Sequence, residues 1–313
     1  MVGYIAVDLG GTQIRAALYP SEGTTPLDVR KIPTLSRSGT TFERMCNLIE
    51  SIWPKQMDVL AITVASPGPQ DPETGVFFSA PNIPGWENFP LRQKLQERFH
   101  CHILMGNDAN LAALGEWMFG AGQGHKHLVY LTISTGIGGG VIVNNQLLTG
   151  ARGLAGEMGH ITVLPGGPLC GCGQRGHLEA IASGPAIAQY VNEELARGAH
   201  SILRPSPDLS ARDISAAAEK GDTLAIQALA RAGQFIGQSL ASIVHIFNPS
   251  IIILGGGVSR SGALLLNPLR AALEAHIMDR AFLTGLEITT ANLGDDAGLL
   301  GALALGRLSH PPH

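Results

Sequence analysis

Three glycine-rich turns, each following a short apolar run, constrain the fold of this chain more than any other feature. They lie at residues 8–12 (DLGGT), 134–140 (STGIGGG) and 255–258 (GGGV). Glycine lets the backbone approach a ligand closely and aim its N–H groups at an anion, so such turns are typical of phosphate-binding α/β proteins. An apolar run returns after each of the first two turns, which predicts two β-hairpins, whereas a helical pattern follows the third.

The context of these turns excludes two common nucleotide-binding motifs. A dinucleotide fingerprint needs a strand, a turn and a helix in that order, but the turn at 134–140 opens a strand. The chain contains no Gly-x-x-x-x-Gly-Lys-Ser/Thr, which excludes a P-loop. A tight hairpin without a ligand is the alternative for any single turn, but three such turns in one chain favour a nucleotide site.

Apolar periodicity predicts an α/β chain whose 313 residues form two domains rather than one. The predicted strands are 4–9, 14–19, 59–64, 102–105, 128–133, 141–143, 251–254 and 286–290. The predicted helices are 91–99, one from 107, and then 185–197, 210–219, 223–247, 262–276 and 297–308. Each half contains a strand, a glycine turn and a returning strand, so we expect two α/β domains facing a cleft, where small ligands often bind.

Composition and charge narrow the function classes. A net charge of −4 gives no basic footprint, so we expect no nucleic-acid partner. No apolar run approaches the ~18 residues of a membrane span, and the first residues do not resemble a signal peptide. Four cysteines are too few for a disulfide framework in a chain of this length. We therefore expect a cytoplasmic protein with no membrane partner.

The pair Asn107-Asp108 follows a predicted strand and begins a predicted helix. Both residue types are good N-caps, and a cap is the alternative to a catalytic role. In the functional interpretation, Asp108 accepts the proton of a substrate hydroxyl during phosphoryl transfer, a reaction in which positioning matters most. At the first turn, Thr12 offers a hydroxyl donor and Asp8 could hold Mg²⁺ through water.

Four residues with zinc-binding side chains lie between positions 160 and 177, in a glycine-rich stretch with little periodicity. They are His160, Cys170, Cys172 and His177. Structural zinc takes four sulfur or nitrogen ligands in a tetrahedron. The alternative is a pair of buried thiols with unrelated histidines. We predict a zinc site that fixes this loop and takes no part in Lewis-acid chemistry.

The same stretch resembles the ROK family (repressor, open reading frame, kinase). It reads GLAGEMGH at 153–160, CGCG at 170–173 and GHLE at 176–179, against a family pattern of Glu-x-Gly-His and Cys-x-Cys-Gly-x-x-Gly-Cys-x-Glu. The chain departs from that pattern at His177, where the family has a third cysteine. Imidazole is also a good zinc ligand, so the site can survive the exchange.

The three glycine-rich turns also resemble those of the sugar kinase, Hsp70 and actin superfamily. This resemblance implies an α/β fold with two actin-like (ribonuclease H-like) domains around a central cleft. We expect a small domain from residues 1–115 plus 298–313 and a large domain from 116–297 that carries the zinc-binding loop.

The resemblance also implies the residues of the site. The sugar would contact Gly68, Asn82, Asn107, Asp108, Glu157, His160 and Glu179. The nucleotide would contact Asp8, Gly10, Gly11, Thr12, Arg15, Thr135, Gly136, Gly138, Gly256 and Gly257, the last two beside adenosine.

ATP-dependent phosphorylation of a hexose is the activity that the resemblance implies, with Asp108 as the base. Glucose is favoured because the LAGEMGHI run most resembles the glucokinases of the family, and because N-acetylmannosamine kinases tend to carry His at the position of Glu157. N-acetylglucosamine, N-acetylmannosamine and fructose are alternatives, and the donor could be ATP or polyphosphate. A homo-oligomer, either a dimer or a tetramer, is expected.

A sugar-sensing protein without catalysis is the remaining alternative. ROK repressors carry a helix-turn-helix segment before the sugar-binding region, and the first phosphate turn here begins at Asp8, which leaves no room for one. The intact turns and Asp108 favour the kinase.

Overall fold

The computed structural model describes residues 2–36, 39–68, 70–71, 74–78 and 83–310, so Asn82 lies outside the described residues. Its strands are β1 (Val2–Leu9), β2 (Gln13–Pro20), β3 (Asp28–Pro33), β4 (Asp58–Ser66), β5 (Gln70–Asp71), β6 (Val76–Phe77), β7 (Phe89–Pro90), β8 (His102–Asn107), β9 (Leu128–Ile133), β10 (Ile137–Val143), β11 (Gln146–Leu147), β12 (Ile251–Gly255) and β13 (Glu287–Thr290). Its α-helices are α1 (Thr41–Ser51), α2 (Leu91–Phe99), α3 (Asp108–Phe119), α4 (Glu179–Ala182), α5 (Gly184–Ala196), α6 (Ala211–Glu219), α7 (Thr223–Phe247), α8 (Ala263–His276) and α9 (Ala297–Ser309).

The first large sheet has the strand order β3-β2-β1-β4-β8. β1 and β2 form the predicted antiparallel hairpin, while β4 and β8 run parallel to β1. Because the carboxyl ends of parallel strands meet at one edge, Asp8 near the end of β1 and Asn107 at the end of β8 share that edge. The first phosphate turn and the predicted base therefore belong to the same side of this sheet.

The second large sheet has the order β11-β10-β9-β12-β13 and repeats this arrangement. β9 and β10 form the second predicted hairpin, and β12 runs parallel to β9 with Gly255 opposite Thr132. That register puts the turn after β9 and the turn after β12 at one edge of the sheet.

A pair of helices, α3 and α9, lies between the two sheets. α9 packs on β1 and β4 of the first sheet, α3 packs on β9 and β10 of the second, and the two helices pack on each other. They meet closely at two glycines, since a Cβ added to Gly115 would lie only 2.9 Å from the backbone nitrogen of Gly301. A larger residue at position 115 would therefore push the helices apart. The apolar core therefore continues from one sheet to the other, and the predicted boundaries at residues 115 and 298 remain a prediction.

Sequence periodicity missed β3 and α1. β3 is mostly exposed and polar. α1 begins with a capping box between Thr40 and Glu43 and buries one apolar face, so the sequence carries helix signals there that the prediction missed. Ser210 and Gly262, predicted as first helical residues, are N-caps instead. Within the described residues, no helix is both long and apolar enough to cross a membrane.

Candidate active site

Asp108 is the first residue of α3, directly after β8. Its neighbour Asn107 is the N-cap, and the Asn107 Oδ1 accepts hydrogen bonds from the backbone N–H groups of Ala109 (3.0 Å) and Asn110 (3.2 Å). The Ala109 N–H also donates to Asp108 Oδ1 over 2.8 Å. The cap predicted for one of these two residues is thus made by Asn107, which leaves Asp108 available for chemistry.

The surroundings of Asp108 raise the pKa of its carboxyl group to about 6. Burial is the largest cause, and the negative charges of Asp8 and Glu157 add to it, while the hydrogen bond from Ala109 opposes it. These three carboxylates therefore act on the same space at the sheet edge. A carboxylate with a pKa near the working pH is well suited to accept a proton.

Thr34 stabilises the first phosphate turn through two hydrogen bonds. The Thr34 hydroxyl donates to the Gly10 carbonyl over 2.5 Å, and the Thr34 N–H donates to the Thr12 carbonyl over 2.8 Å. The Gly10 N–H closes the turn by donating to the Gln13 carbonyl over 3.0 Å. Gly11 and Thr12 remain exposed at the tip. No sequence motif singled out Thr34, which comes from the segment after β3.

Arg15, predicted as a nucleotide contact, binds the segment just before α9. Its guanidinium donates to the carboxylate of Asp296 and to the carbonyl oxygen of Asp295. Burial and the negative charge of Asp296 raise the pKa of the Asp8 carboxyl group, whereas the positive charge of Arg15 opposes this rise. A hollow of about 600 Å³ at this place is lined by Asp8, Gln13, Arg15, Val29, Arg30, Lys31 and Asp295.

The second phosphate turn is held by Glu179. The Ser134 N–H donates to the Gly136 carbonyl over 2.8 Å, and the Ile137 N–H donates to Glu179 Oε2 over 3.0 Å. A Cβ on Gly136 would lie 2.6 Å from the same Glu179 oxygen. The turn and the carboxylate at the start of α4 are thus fitted to each other.

Gly138, also predicted at the phosphates, lies inside β10 against α3. A Cβ on Gly138 would lie 2.8 Å from the Cβ of Ala109, and one on Gly140 would lie 2.6 Å from the Cβ of Ala113. These glycines let α3 pack closely on the strand. A phosphate contact of the Gly138 backbone remains a prediction.

A cavity of about 1230 Å³ opens beside the second and third turns. Thr135 and Gly257 line it, together with apolar residues such as Pro185, Ala188, Leu209, Ala211 and Val258. Gly256 has a φ of +83°, and a Cβ there would collide with the Ile133 carbonyl, so only glycine fits. The cavity has the apolar walls and size that a nucleoside needs.

The four predicted metal ligands form one cluster. One ligand atom from each of His160, Cys170, Cys172 and His177 lies within 4.8 Å of all the others. Cys170 Sγ is 3.7 Å from His160 Nδ1, and Cys172 Sγ is 3.2 Å from His177 Nδ1. Bonds of about 2.3 Å to sulfur and 2.1 Å to nitrogen would put tetrahedral zinc ligands roughly 3.3–3.8 Å apart. The residues present therefore fit zinc, with His177 in the place of the family cysteine.

The cluster is connected to both predicted sugar-binding glutamates. The second ring nitrogen of His160, Nε2, lies 4.0 Å from Glu157 Oε2, and Cys170 Sγ lies 3.6 Å from Glu179 Oε1. Glu179 thus lies between the cluster and the second phosphate turn. Gly68, with a φ of +86°, follows the end of β4, and its contact with sugar remains a prediction.

Comparisons with known proteins cover nearly the whole chain. Residues 4–308 match the sequence model of the ROK family. A glucokinase of Thermotoga maritima is 39% identical over 307 residues, which are 96% of either chain. The xylose repressor of Bacillus subtilis is 32% identical over 96% of this chain and 76% of the repressor. The crystal structure of a ROK family glucokinase from Streptomyces griseus in complex with glucose and AMPPNP has a TM-score of 0.82 at 36% identity, covering 98% of this chain and 99% of that one.

Proposed function

The chain belongs to the ROK family, and from that premise we propose that it transfers the terminal phosphoryl group of ATP to glucose, giving glucose 6-phosphate. The family and the two-domain actin-like fold expected from the sequence are both confirmed. One observation of this chain carries the proposal. The carboxylate of Asp108, with a pKa of about 6, shares one cleft edge with the first phosphate turn.

Asp108 accepts the proton of the sugar 6-hydroxyl as that oxygen attacks the terminal phosphorus. Phosphoryl transfer has a loose transition state, so a single well-placed carboxylate is sufficient. Glucose is held by hydrogen bonds to the predicted sugar residues, since carboxylates, imidazole and amides match hydroxyls that both donate and accept. Closure of the two domains excludes water from the cleft.

The nucleoside occupies the large cavity beside Thr135 and Gly257, and its phosphates extend towards the turn at Gly10. Asp8 is suited to a hydrated Mg²⁺ ion because no described residue donates a hydrogen bond to its carboxylate. Mg²⁺ neutralises phosphate charge in this class of reaction.

Zinc would be held by the two cysteines and the two histidines of the cluster. Two thiolates and Zn²⁺ sum to zero charge, so the cluster adds no net charge beside Glu157 and Glu179. Its role is structural, because all four zinc positions are taken by protein ligands. It orients Glu157 through His160 and keeps Glu179 against the second turn.

Several finer points belong to the same proposal. ATP is preferred to polyphosphate because the cavity offers a nucleoside site. Glucose is preferred to N-acetylglucosamine, N-acetylmannosamine and fructose because the glucokinase relative is identical at 39% of positions. We also propose a homo-oligomer that works in the cytoplasm in carbohydrate metabolism and glycolysis.

A coupled assay of ADP release over a panel of hexoses tests the activity. Glucose should be phosphorylated fastest, and Asp108→Ala should abolish turnover, whereas a matched change of the exposed Asp208→Ala should not. Turnover of another hexose with glucose inert would show that the sugar is wrong. Sugar binding without any turnover would favour the sensing function.

Metal analysis of protein prepared without chelator tests the cluster. We expect one zinc per chain in the wild type and in Cys101→Ser, and little zinc in Cys172→Ser. Cys101 is a suitable control because it is a free cysteine outside the cluster. Clearly less than one zinc per wild-type chain would contradict the site.

A further inference from the structure

Gly298, the second residue of α9, lies directly against the carboxylate of Asp8. A Cβ on Gly298 would lie 2.7 Å from Asp8 Cγ and 2.9 Å from each Asp8 carboxylate oxygen. The Asp8 carboxylate thus occupies the space in which any other amino acid at position 298 would have its first side-chain atom.

This contact limits where the Asp8 carboxylate can lie, and no hydrogen bond from a described residue fixes its position. No described residue donates a hydrogen bond to that carboxylate, and its surroundings act on it through burial and through the charges of Arg15, Asp296 and Asp108. No side chain caps the start of α9 by a hydrogen bond, and the positive end of a helix favours a nearby carboxylate. The absence of a side chain at Gly298 is what allows Asp8 to come this close.

We propose that Gly298 is a positioning residue for phosphoryl transfer, which keeps the Asp8 carboxylate where it can bind the hydrated Mg²⁺ of the nucleotide. This inference rests on the proposed kinase function. In Gly298→Ala the carboxylate must move away from α9. It is the end of a side chain in a cleft, so it can move without disturbing the core, and the protein should remain folded.

Gly306, two turns further along α9, provides the matched control. A Cβ there would lie 2.9 Å from Tyr4 Cδ1 and 3.0 Å from Thr63 Cγ2, and both of these side chains are buried in the core. The same change on the same helix therefore strains packing at this position and leaves Asp8 in place. Gly301 is unsuitable as a control, because its Cβ would collide with the backbone carbonyl of Leu111.

Calorimetric titration with ADP, in buffer with and without Mg²⁺ and free of chelator, tests the inference without turnover. Mg²⁺ should tighten ADP binding to the wild type and to Gly306→Ala. In Gly298→Ala this tightening should shrink by about tenfold or more, since the loss of one contact to a charged group typically costs that much, while ADP affinity without Mg²⁺ stays the same. The melting temperature should fall more in Gly306→Ala than in Gly298→Ala.

The inference would be overturned if Mg²⁺ tightened ADP binding equally in Gly298→Ala and in the wild type. It would also be overturned if Mg²⁺ did not change the ADP affinity of the wild type. Failure of the kinase proposal is a separate result, because it would appear as a wild type that does not phosphorylate glucose. A wild type that does, beside a Gly298→Ala variant with unchanged Mg²⁺ dependence, would reject only the role of Gly298.

Discussion

The two phosphate turns use glycine for different purposes. At the first turn, a Cβ on Gly10 would meet, among the described residues, only the Gln13 carbonyl, at 3.0 Å, and the tip of the turn is exposed. At the second turn, Gly138 and Gly140 lie under α3, and Gly139 leaves no space for a Cβ beside Met158. Gly10 of the first turn thus leaves room for a ligand, whereas Gly138 and Gly140 of the second leave room for a helix.

The turns are also supported differently. Glu179 connects the second turn to the metal cluster, whereas the first turn depends on Thr34 and on the start of α9. Loss of the proposed zinc should therefore disturb the second turn and leave the first one intact. The following predictions test this contrast, beginning with the largest effect.

Replacement of the proposed base, Asp108, should have the largest effect. In Asp108→Asn we expect kcat to fall by about 10²–10⁴-fold, because the amide accepts no proton. ADP affinity should stay near the wild-type value, since neither turn is altered. Steady-state kinetics and ADP titration measure the two quantities, and a loss below about tenfold would argue against proton transfer to Asp108.

Stability should distinguish the two sets of glycines. Gly138→Ala should lower the free energy of unfolding by about 1–3 kcal/mol, because the new methyl group overpacks the contact with Ala109. Gly10→Ala should lower it by less, since its only close neighbour is one carbonyl. Urea denaturation compares them, and equal losses would remove the contrast between the turns.

The pH dependence of glucose phosphorylation tests the raised pKa of Asp108, which follows from burial of its carboxyl group. Burial raises the pKa of this acid to about 6, so it becomes protonated, and inactive as a base, as the pH falls through that value. We expect kcat/KM for glucose to be constant above about pH 7 and to fall about tenfold per pH unit below about pH 6. A profile that stays flat to pH 5, with zinc retained, would contradict this pKa.

The ion pair beside the first turn should matter least for stability. In Asp296→Asn the contact with Arg15 loses its charge. The Asp296 side chain is 63% exposed and that of Arg15 is 15% exposed, so water screens the pair from one side only. Surface ion pairs contribute about 0–1 kcal/mol, and we expect a loss near the upper end of that range in urea denaturation. A loss well above 1 kcal/mol would mean that this pair holds the start of α9 on the first sheet more strongly than a surface ion pair usually does.

Local patterns were sufficient to predict the hairpins, the three turns, a helix cap at either Asn107 or Asp108, and the four residues that cluster at positions 160–177. Each of these depends on residues close together in the chain. The structural role of each glycine could not be predicted in this way. The same residue type leaves open space at Gly10 and lets α3 pack closely on β10 at Gly138.

Contacts between distant segments were also missed. Arg15 meets Asp296 and Asp8 meets Gly298 only when α9 is placed on the first sheet. The acidic pair Asp295-Asp296 before a helical pattern is an N-terminal helix signal, but nothing in it names Arg15 as its partner.

The packing of α9 on β1 and β4 has a consequence for biosynthesis. Tyr4 and Ala6 of β1 share one apolar core with Leu299 and Leu303 of α9. The ribosome makes β1 first and α9 only after the entire second sheet, and nascent domains generally fold as units. One face of the first sheet therefore stays uncovered through most of translation, when chaperones can bind it. A chain interrupted before residue 297 would leave this hydrophobic surface permanently exposed, and we expect such a chain to be degraded or to aggregate.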